Sequence, residues 1–134
     1  MRPENKLIRD IMTRGVVAVH TDATVKQVAN TLTKQKKSGV AVIDCNGAAM
    51  GIISGLDILN VMDKQGWENI RAENIMTSNI ETIKPTSTLR EAVEIMRIKH
   101  IHRLLVLSEK GIGISQRPVG ILTTSDIVRE VMQD

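Results

Sequence analysis

A chain of 134 residues with an apolar fraction of 42% can form one ordinary globular domain, or two small halves that share a core. It contains one tryptophan, Trp67, and neither phenylalanine nor tyrosine, which argues against nucleic-acid modules that stack bases on aromatic side chains. The net charge of +3 is too small for a basic arm, and the lone Cys45 can form neither an intramolecular disulfide nor a thiolate zinc site by itself.

The first half of the chain carries the signals of a β-α-β-β-α unit. Val16–Val19 has the composition of a short strand. A helix follows, opened by Thr24 with Gln27 three residues later, which is the spacing of a capping box. Residues 40–43 and the run into Ser54 then predict two more strands, and a closing helix completes the unit.

The second half repeats this order. The segment Asp-Ile-Met-Thr at residues 10–13 returns 64 positions later as Asn-Ile-Met-Thr. Ile80–Ile83 predicts a strand, Thr88 with Glu91 predicts a second capped helix, and residues 104–107 predict the next strand. The second copy also carries five extra residues between Ser108 and Arg117, where a surface loop accommodates an insertion most easily.

These elements predict an α/β (α+β) fold. One β-α-β-β-α unit leaves an apolar sheet face uncovered, so we expect the two repeats to pack about a pseudo-twofold axis. The predicted domains are residues 7–64 and 71–134, joined by a linker at residues 65–70.

Each half contains a junction at which a strand runs straight into a helix: residues 51–57 (Gly-Ile-Ile-Ser-Gly-Leu-Asp) and residues 120–126 (Gly-Ile-Leu-Thr-Thr-Ser-Asp). In both junctions a hydroxyl residue stands three positions before an aspartate. A helix start offers unpaired N–H groups to a phosphate, and a carboxylate accepts two hydrogen bonds from a vicinal diol. Each junction therefore predicts a site for a sugar diol with an attached phosphate, although the same spacing also occurs in helices that are merely capped.

These motifs resemble those of the cystathionine-β-synthase (CBS) domain, and the chain from Leu7 to Met132 is similar to a tandem CBS pair. The resemblance rests on two Ile-Met-Thr openings, on the apolar strands after Ser38-Gly39 and His102-Arg103, and on two Gly-apolar-apolar-Ser/Thr-x-x-Asp endings. Paired domains of that family bind adenosine-containing ligands, namely AMP, ADP, ATP, S-adenosylmethionine or sometimes dinucleotides, and regulate an attached or partner protein. The resemblance therefore implies a stand-alone regulatory, energy-sensing module with its ligand in inter-domain clefts and no catalytic cofactor.

The resemblance also implies which residues form two sites. In the first, Asp126 would bind the ribose, Ile121 would lie against the adenine, and backbone between Thr13 and Ala18 would read the adenine edge. The residues implied for this site are Asp126, Thr123, Ser125, Ile121, His102, Arg103, Thr13, Ala18, Lys37 and Ser38. Those implied for the mirror site are Asp57, Ser54, Ile52, Thr77, Thr82 and Ile101. Because the second junction carries more hydroxyl residues, we expect the Asp126 site to bind adenosine more tightly.

Catalysis and metal binding have little support in the sequence. No Ser-His-Asp or Cys-His set, phosphate loop or acidic pair occurs, which predicts that the protein is not an enzyme. His100 and His102 would share a strand face but have no third ligand nearby, so we predict no metal site. A polar N-terminus and the absence of an apolar run of the ~20 residues that cross a bilayer predict a cytoplasmic protein.

The closing helices predict self-association. Their apolar residues (Ile58, Val61 and Met62 in the first half, Ile127, Val131 and Met132 in the second) would be partly uncovered and predict a homodimer. Two alternatives to a ligand-binding regulator remain: a structural dimerisation module whose clefts stay empty, and a nucleic-acid binder that uses the small basic excess.

Overall fold

The computed structural model describes residues 3–108 and 116–133. The inserted segment expected after Ser108 thus falls largely outside the described residues. In chain order the helices and strands are α1 (Ile8–Ile11), β1 (Thr13–Arg14), β2 (Ala18–His20), α2 (Val25–Gln35), β3 (Gly39–Ile43), β4 (Ala49–Ser54), α3 (Gly55–Leu59), β5 (Thr82–Ile83), α4 (Leu89–Lys99), β6 (Arg103–Leu107), β7 (Pro118–Thr123) and α5 (Thr124–Val131). Short 3-10 turns occur at Pro3–Asn5, Trp67–Asn69 and Ala72–Asn74. Within the described ranges no helix has the length and apolar character needed to cross a membrane.

The predicted fold class, α+β with two β-α-β-β-α repeats, is confirmed. The chain forms two compact units, one of residues 17–80 and one that combines the residues up to 16 with those from 81 onward. In the first unit β2 is parallel to β3, which is antiparallel to β4; in the second, β5, β6 and β7 have the same arrangement. The first strand of each half is shorter than expected. The pseudo-twofold arrangement and the domain boundaries at 64 and 71 stay predictions.

Both predicted capping boxes are present. The Thr24 amide donates to Gln27 Oε1 at 2.9 Å, and the Gln27 amide donates to Thr24 Oγ1 at 3.2 Å. Thr88 and Glu91 form the same reciprocal pair at the start of α4, at 3.4 and 3.3 Å. Each box satisfies backbone N–H groups that a helix start leaves unpaired, which is why sequence spacing alone located both helices.

The Met-Thr segment that opens each half belongs to the unit formed around the other half. In β1, Thr13 lies opposite Ile121 of β7, so the four-stranded sheet has the order β1-β7-β6-β5. Thr77 correspondingly lies opposite Ile52, and the two residues exchange amide-to-carbonyl hydrogen bonds of 3.0 and 2.8 Å. The boundaries of the two compact units therefore differ from the boundaries of the two sequence repeats.

Two glycines permit this close approach. A Cβ atom at Gly120 would lie 2.6 Å from Met12 Sδ and 2.9 Å from the Thr13 carbonyl oxygen. A Cβ atom at Gly51 would lie 2.7 Å from the Thr77 carbonyl oxygen. The glycine that begins each junction motif therefore lies directly against the Met-Thr segment of the other half.

Each unit has its own apolar core. In the unit of residues 17–80, the buried residues are Val19, Val25, Val28, Leu32, Val40, Val42, Ile53, Ile58 and Ala72. In the other unit they are Ile8, Ile83, Ala92, Met96, Leu104, Val106 and Leu122. Ile8 comes from the N-terminal segment, so that segment contributes to the core of the second repeat.

The apolar surface of the closing helices differs from the expected one. Ile58 and Val61 are buried, with exposed fractions of 8% and 9%, and Ile58 belongs to the apolar core of its own unit. The exposed large apolar residues of these two helical segments are Leu56, Leu59, Met62, Val128, Val131 and Met132.

Candidate functional site

The Asp126 carboxylate is held at the start of α5 by a reciprocal pair of hydrogen bonds. The Thr123 amide donates to Asp126 Oδ2 at 2.9 Å, and the Asp126 amide donates to Thr123 Oγ1 at 3.2 Å. Asp126 is 6% exposed, and it is the one buried polar or charged residue in the described part of the chain. The carboxylate therefore has a fixed position, which is useful for recognising a donor pair.

The second oxygen of this carboxylate also has partners. Arg129 Nη1 donates to Asp126 Oδ1 at 3.2 Å, and Thr13 Oγ1 donates to the same oxygen at 3.5 Å, the long limit for a hydrogen bond. Thr13 reaches this position because β1 pairs with β7. Three donors thus contact the carboxylate.

The Asp57 carboxylate is less occupied. The amide and the hydroxyl of Ser54 both donate to Asp57 Oδ2, at 2.8 and 3.2 Å. Among the residues that the structure describes, none donates to Asp57 Oδ1, and the side chain is only half-buried. The position that corresponds to Arg129, three residues after the aspartate, is Asn60.

Most residues implied for the Asp126 site lie in the same unit as Asp126. The Thr124 amide donates to the His102 carbonyl oxygen at 3.0 Å, and Arg103 lies opposite Thr123 in the β6–β7 ladder. Ile121 lies opposite Thr13, and Ser125 is exposed in the first turn of α5. For the mirror site, Ser54, Ile52 and Thr77 lie together with Asp57 in the other unit.

Five implied residues belong to the opposite unit. Ala18, Lys37 and Ser38 are exposed residues of the unit that contains Asp57, whereas Thr82 and Ile101 belong to the unit that contains Asp126. Ser38 directly precedes Gly39, which lies opposite Ser54 in the β3–β4 ladder. The assignment of these five residues to the opposite site stays a prediction.

The expectation that His100 and His102 alternate on one strand is wrong. His100 is the C-cap of α4, with a left-handed φ of 54°, and β6 begins only at Arg103. Across residues 3–108 and 116–133, no group of three or more His, Cys, Asp or Glu side chains is placed to hold a metal ion.

Arg129 is the site residue that the sequence reasoning did not single out. Its signal was present: a carboxylate and a guanidinium three residues apart on a helix lie on the same face. The hydroxyl–aspartate spacing is complete without Arg129 and therefore does not point to it. The contact to Arg129 nevertheless distinguishes the two junctions, since Asn60 stands at the corresponding position of the first.

Comparison with known proteins places these junctions in a family. The family model of the CBS domain matches residues 8–64 and 72–133. A CBS domain-containing protein of Dictyostelium discoideum is 26% identical over 133 residues, which cover 91% of this chain and 88% of that protein. Inosine-5'-monophosphate dehydrogenase of Methanocaldococcus jannaschii is 26% identical over 120 residues, which cover 90% of this chain but only 22% of the dehydrogenase.

A solved structure is similar over nearly the whole chain. The CBS domain pair of protein MJ0100, in complex with 5'-methylthioadenosine and S-adenosyl-L-methionine, superimposes with a TM-score of 0.80 at 26% identity. The match covers 93% of this chain and 94% of that one.

Proposed function

Because the chain belongs to the CBS-domain family, we propose that it is a regulatory module that binds an adenosine-containing ligand and signals to a partner protein. The ligand class is AMP, ADP, ATP or S-adenosylmethionine, with an energy-sensing role in the cytoplasm if the ligand is an adenine nucleotide. The complex of the MJ0100 domain pair with two adenosine-containing molecules, at 26% identity, supports this ligand class.

The observation that carries the proposal is the pair of fixed carboxylates at equivalent strand–helix junctions. Asp57 keeps Oδ1 without a donor among the described residues, while Oδ2 is held by Ser54. A vicinal diol is a donor pair that matches such an oxygen. α5 is eight residues long, and the main-chain amides at its start favour a negatively charged group near Asp126.

The test is binding by the purified chain, first by thermal shift and then by calorimetric titration. A ligand that binds the folded state raises the unfolding midpoint in a saturable way. We expect Asp126→Ala and Asp57→Ala each to weaken the corresponding site by about ten- to a hundredfold, because a hydrogen bond to a charged group contributes roughly 1.5–3 kcal/mol. Asp63→Ala, at an exposed turn position outside both junctions, is the matched control.

Folding must be measured in parallel, because each alanine also removes a helix cap that stabilises the chain by roughly 0.5–2 kcal/mol. If both variants stay folded and bind as the wild type does, the aspartates are caps only and the proposed site is wrong. Binding of 2'-deoxyadenosine as tight as that of adenosine would likewise show that the diol is not recognised.

We also propose that the protein is a homodimer that uses the exposed apolar residues of α3 and α5. Leu56 and Leu59 on α3 are 65% and 63% exposed, and Val128 and Val131 on α5 are 61% and 54% exposed. Two apolar helix faces of this kind usually mark a contact, and self-association is the commonest one. These two exposed helix faces are also the observation that favours the alternative function, a dimerisation module without a ligand.

Light scattering with Leu59→Glu tests the dimer. The charged side chain would have to be buried without a partner, so the variant should be monomeric at tens of micromolar, about the range of a weak dimer. Ile98→Glu is the control, because Ile98 is an equally exposed apolar residue (72%) on a different helix, α4. A wild type that is monomeric at that concentration would refute the dimer and leave the ligand proposal intact.

A further inference from the structure

We propose that Arg129 competes with the ribose diol for the carboxylate of Asp126 and so lowers the affinity of that site relative to the Asp57 site. This inference rests on the proposed function. It concerns a single side chain, Arg129, which is the charged donor to Asp126; among the described residues no charged side chain donates to Asp57.

The count of hydrogen-bond positions carries the argument. A carboxylate accepts about four hydrogen bonds, two at each oxygen. At Asp126 three donors are already present: the Thr123 amide on Oδ2, and Arg129 with Thr13 on Oδ1. A diol brings two more donors, so one of the three has to leave before both hydroxyls can bind.

The same count at Asp57 leaves room. Both donors there belong to Ser54 and both contact Oδ2, at 2.8 and 3.2 Å. Oδ1 can therefore accept both hydroxyls of a diol without displacing a described residue. Asn60, at the position of Arg129, carries no charge that could pair with the carboxylate.

The positive charge of Arg129 weakens diol binding in addition to the acceptor position that the side chain occupies. The guanidinium of Arg129 neutralises the carboxylate at an N–O distance of 3.2 Å, and a neutralised carboxylate is a weaker acceptor for an uncharged hydroxyl. Displacement of Thr13 alone, whose bond is 3.5 Å long, would free one position but leave this neutralisation in place. Arg129 is 64% exposed, so it can leave the carboxylate for solvent, and the cost of that step sets the competition.

The expected effect is modest because the ion pair is partly exposed. In a chain that carries Asp57→Ala, so that only the Asp126 site is intact, Arg129→Gln should increase the affinity for adenosine about two- to fivefold. Adenosine is the probe because it has the diol and no phosphate, so Arg129 cannot gain a new ionic contact from it. The affinity for 2'-deoxyadenosine should change less, since that compound cannot use both acceptor positions.

Salt supplies an independent readout. Salt screens an exposed ion pair and so weakens the contact between Arg129 and Asp126. The affinity of the Asp57→Ala chain for adenosine should therefore increase when the salt concentration is raised about tenfold, from roughly 0.05 to roughly 0.5 M. In the chain that also carries Arg129→Gln this dependence should disappear. A side chain that only stabilises α5 would alter the thermal midpoint without producing a salt-dependent affinity for an uncharged ligand.

The control places Arg129→Gln in a chain that carries Asp126→Ala, where only the Asp57 site remains and adenosine affinity should not change. If Asp57→Ala binds adenosine and the added Arg129→Gln leaves that affinity unchanged or lower, the inference is overturned and the proposed function stands. If neither the wild type nor any variant binds adenosine, AMP or S-adenosylmethionine, the proposed function fails and the inference fails with it.

Discussion

The replacement Ile8→Ala tests whether the N-terminal segment is part of the second repeat's core. Ile8 is 0% exposed and packs with residues that follow it by 75 positions or more, among them Ile83 and Leu104. The segment is also held by main-chain hydrogen bonds, from the Ile8 amide to the Ser87 carbonyl at 2.8 Å and from the Leu89 amide to the Lys6 carbonyl at 2.9 Å. These bonds keep the backbone in place, so the truncated side chain should leave a cavity rather than let the segment shift.

The expected loss is roughly 2–5 kcal/mol, the range for an isoleucine cut to alanine in a packed core. Against a total stability of about 5–15 kcal/mol, a loss of this size is easily measured. Urea denaturation followed by circular dichroism gives the free energy of unfolding. The matched control is Ile98→Ala, because Ile98 is 72% exposed and its truncation should change the stability by about 0.5 kcal/mol or less.

Hydrogen exchange then locates the effect. Amides of β6, which contains Leu104 and Val106, should lose protection in Ile8→Ala before those of β3 in the other unit. A loss below about 1 kcal/mol, or equal deprotection of β3 and β6, would refute the placement of Ile8 in this core.

Two further predictions concern backbone geometry. Gly120→Ala should lower the free energy of unfolding by roughly 1–3 kcal/mol, because the added Cβ would lie 2.9 Å from the Thr13 carbonyl oxygen. Gly55→Ala, where a Cβ would meet nothing within 4 Å, should be neutral or stabilising. Equal melting midpoints for the two variants would contradict the close approach at Gly120. Lys36→Gly should stabilise the chain by up to about 1 kcal/mol, because Lys36 ends α2 with a left-handed φ of 53°, and Lys34→Gly inside the same helix should instead cost about 1 kcal/mol. Chemical denaturation gives the free energy of unfolding of both variants. If Lys36→Gly were less stable than Lys34→Gly, the left-handed C-cap at Lys36 would be wrong.

The elements that the sequence located correctly are those fixed by local chemistry. The spacing of Thr24 to Gln27 and of Thr88 to Glu91 satisfies helix N–H groups whatever the rest of the chain does, so both helices were found at their first residue. The shortened strand at Thr82–Ile83 is different: it starts two residues later than the composition predicts, although its partner β6 already begins at Arg103. Strand ends of this kind depend on tertiary pairing and are not written in the segment itself.

The exchange of the Met-Thr segments could not be read from the pattern. The two segments are nearly identical, and both junctions begin with a glycine that leaves space for a neighbouring backbone. Periodicity is therefore satisfied equally well by pairing each segment with its own half or with the other one. Only the chain path, which brings residues up to 16 together with those from 81 onward, distinguishes the two arrangements.

The two halves differ at the residues around the aspartates, and this difference has chemical consequences. The glycine contacts and the capping boxes are reproduced in both units. The surroundings of the carboxylates are not reproduced: Asp126 is 6% exposed and paired with Arg129, whereas Asp57 is half-buried and followed by Asn60. Hydroxyl residues alone would favour Asp126 as the tighter site, but three donors of the chain already occupy most of the about four acceptor positions of its carboxylate. The relative affinity of the two sites therefore depends on the free energy needed to release Arg129 from the carboxylate. A substitution of Arg129 changes this free energy while the sequences of both junctions, residues 51–57 and 120–126, stay the same.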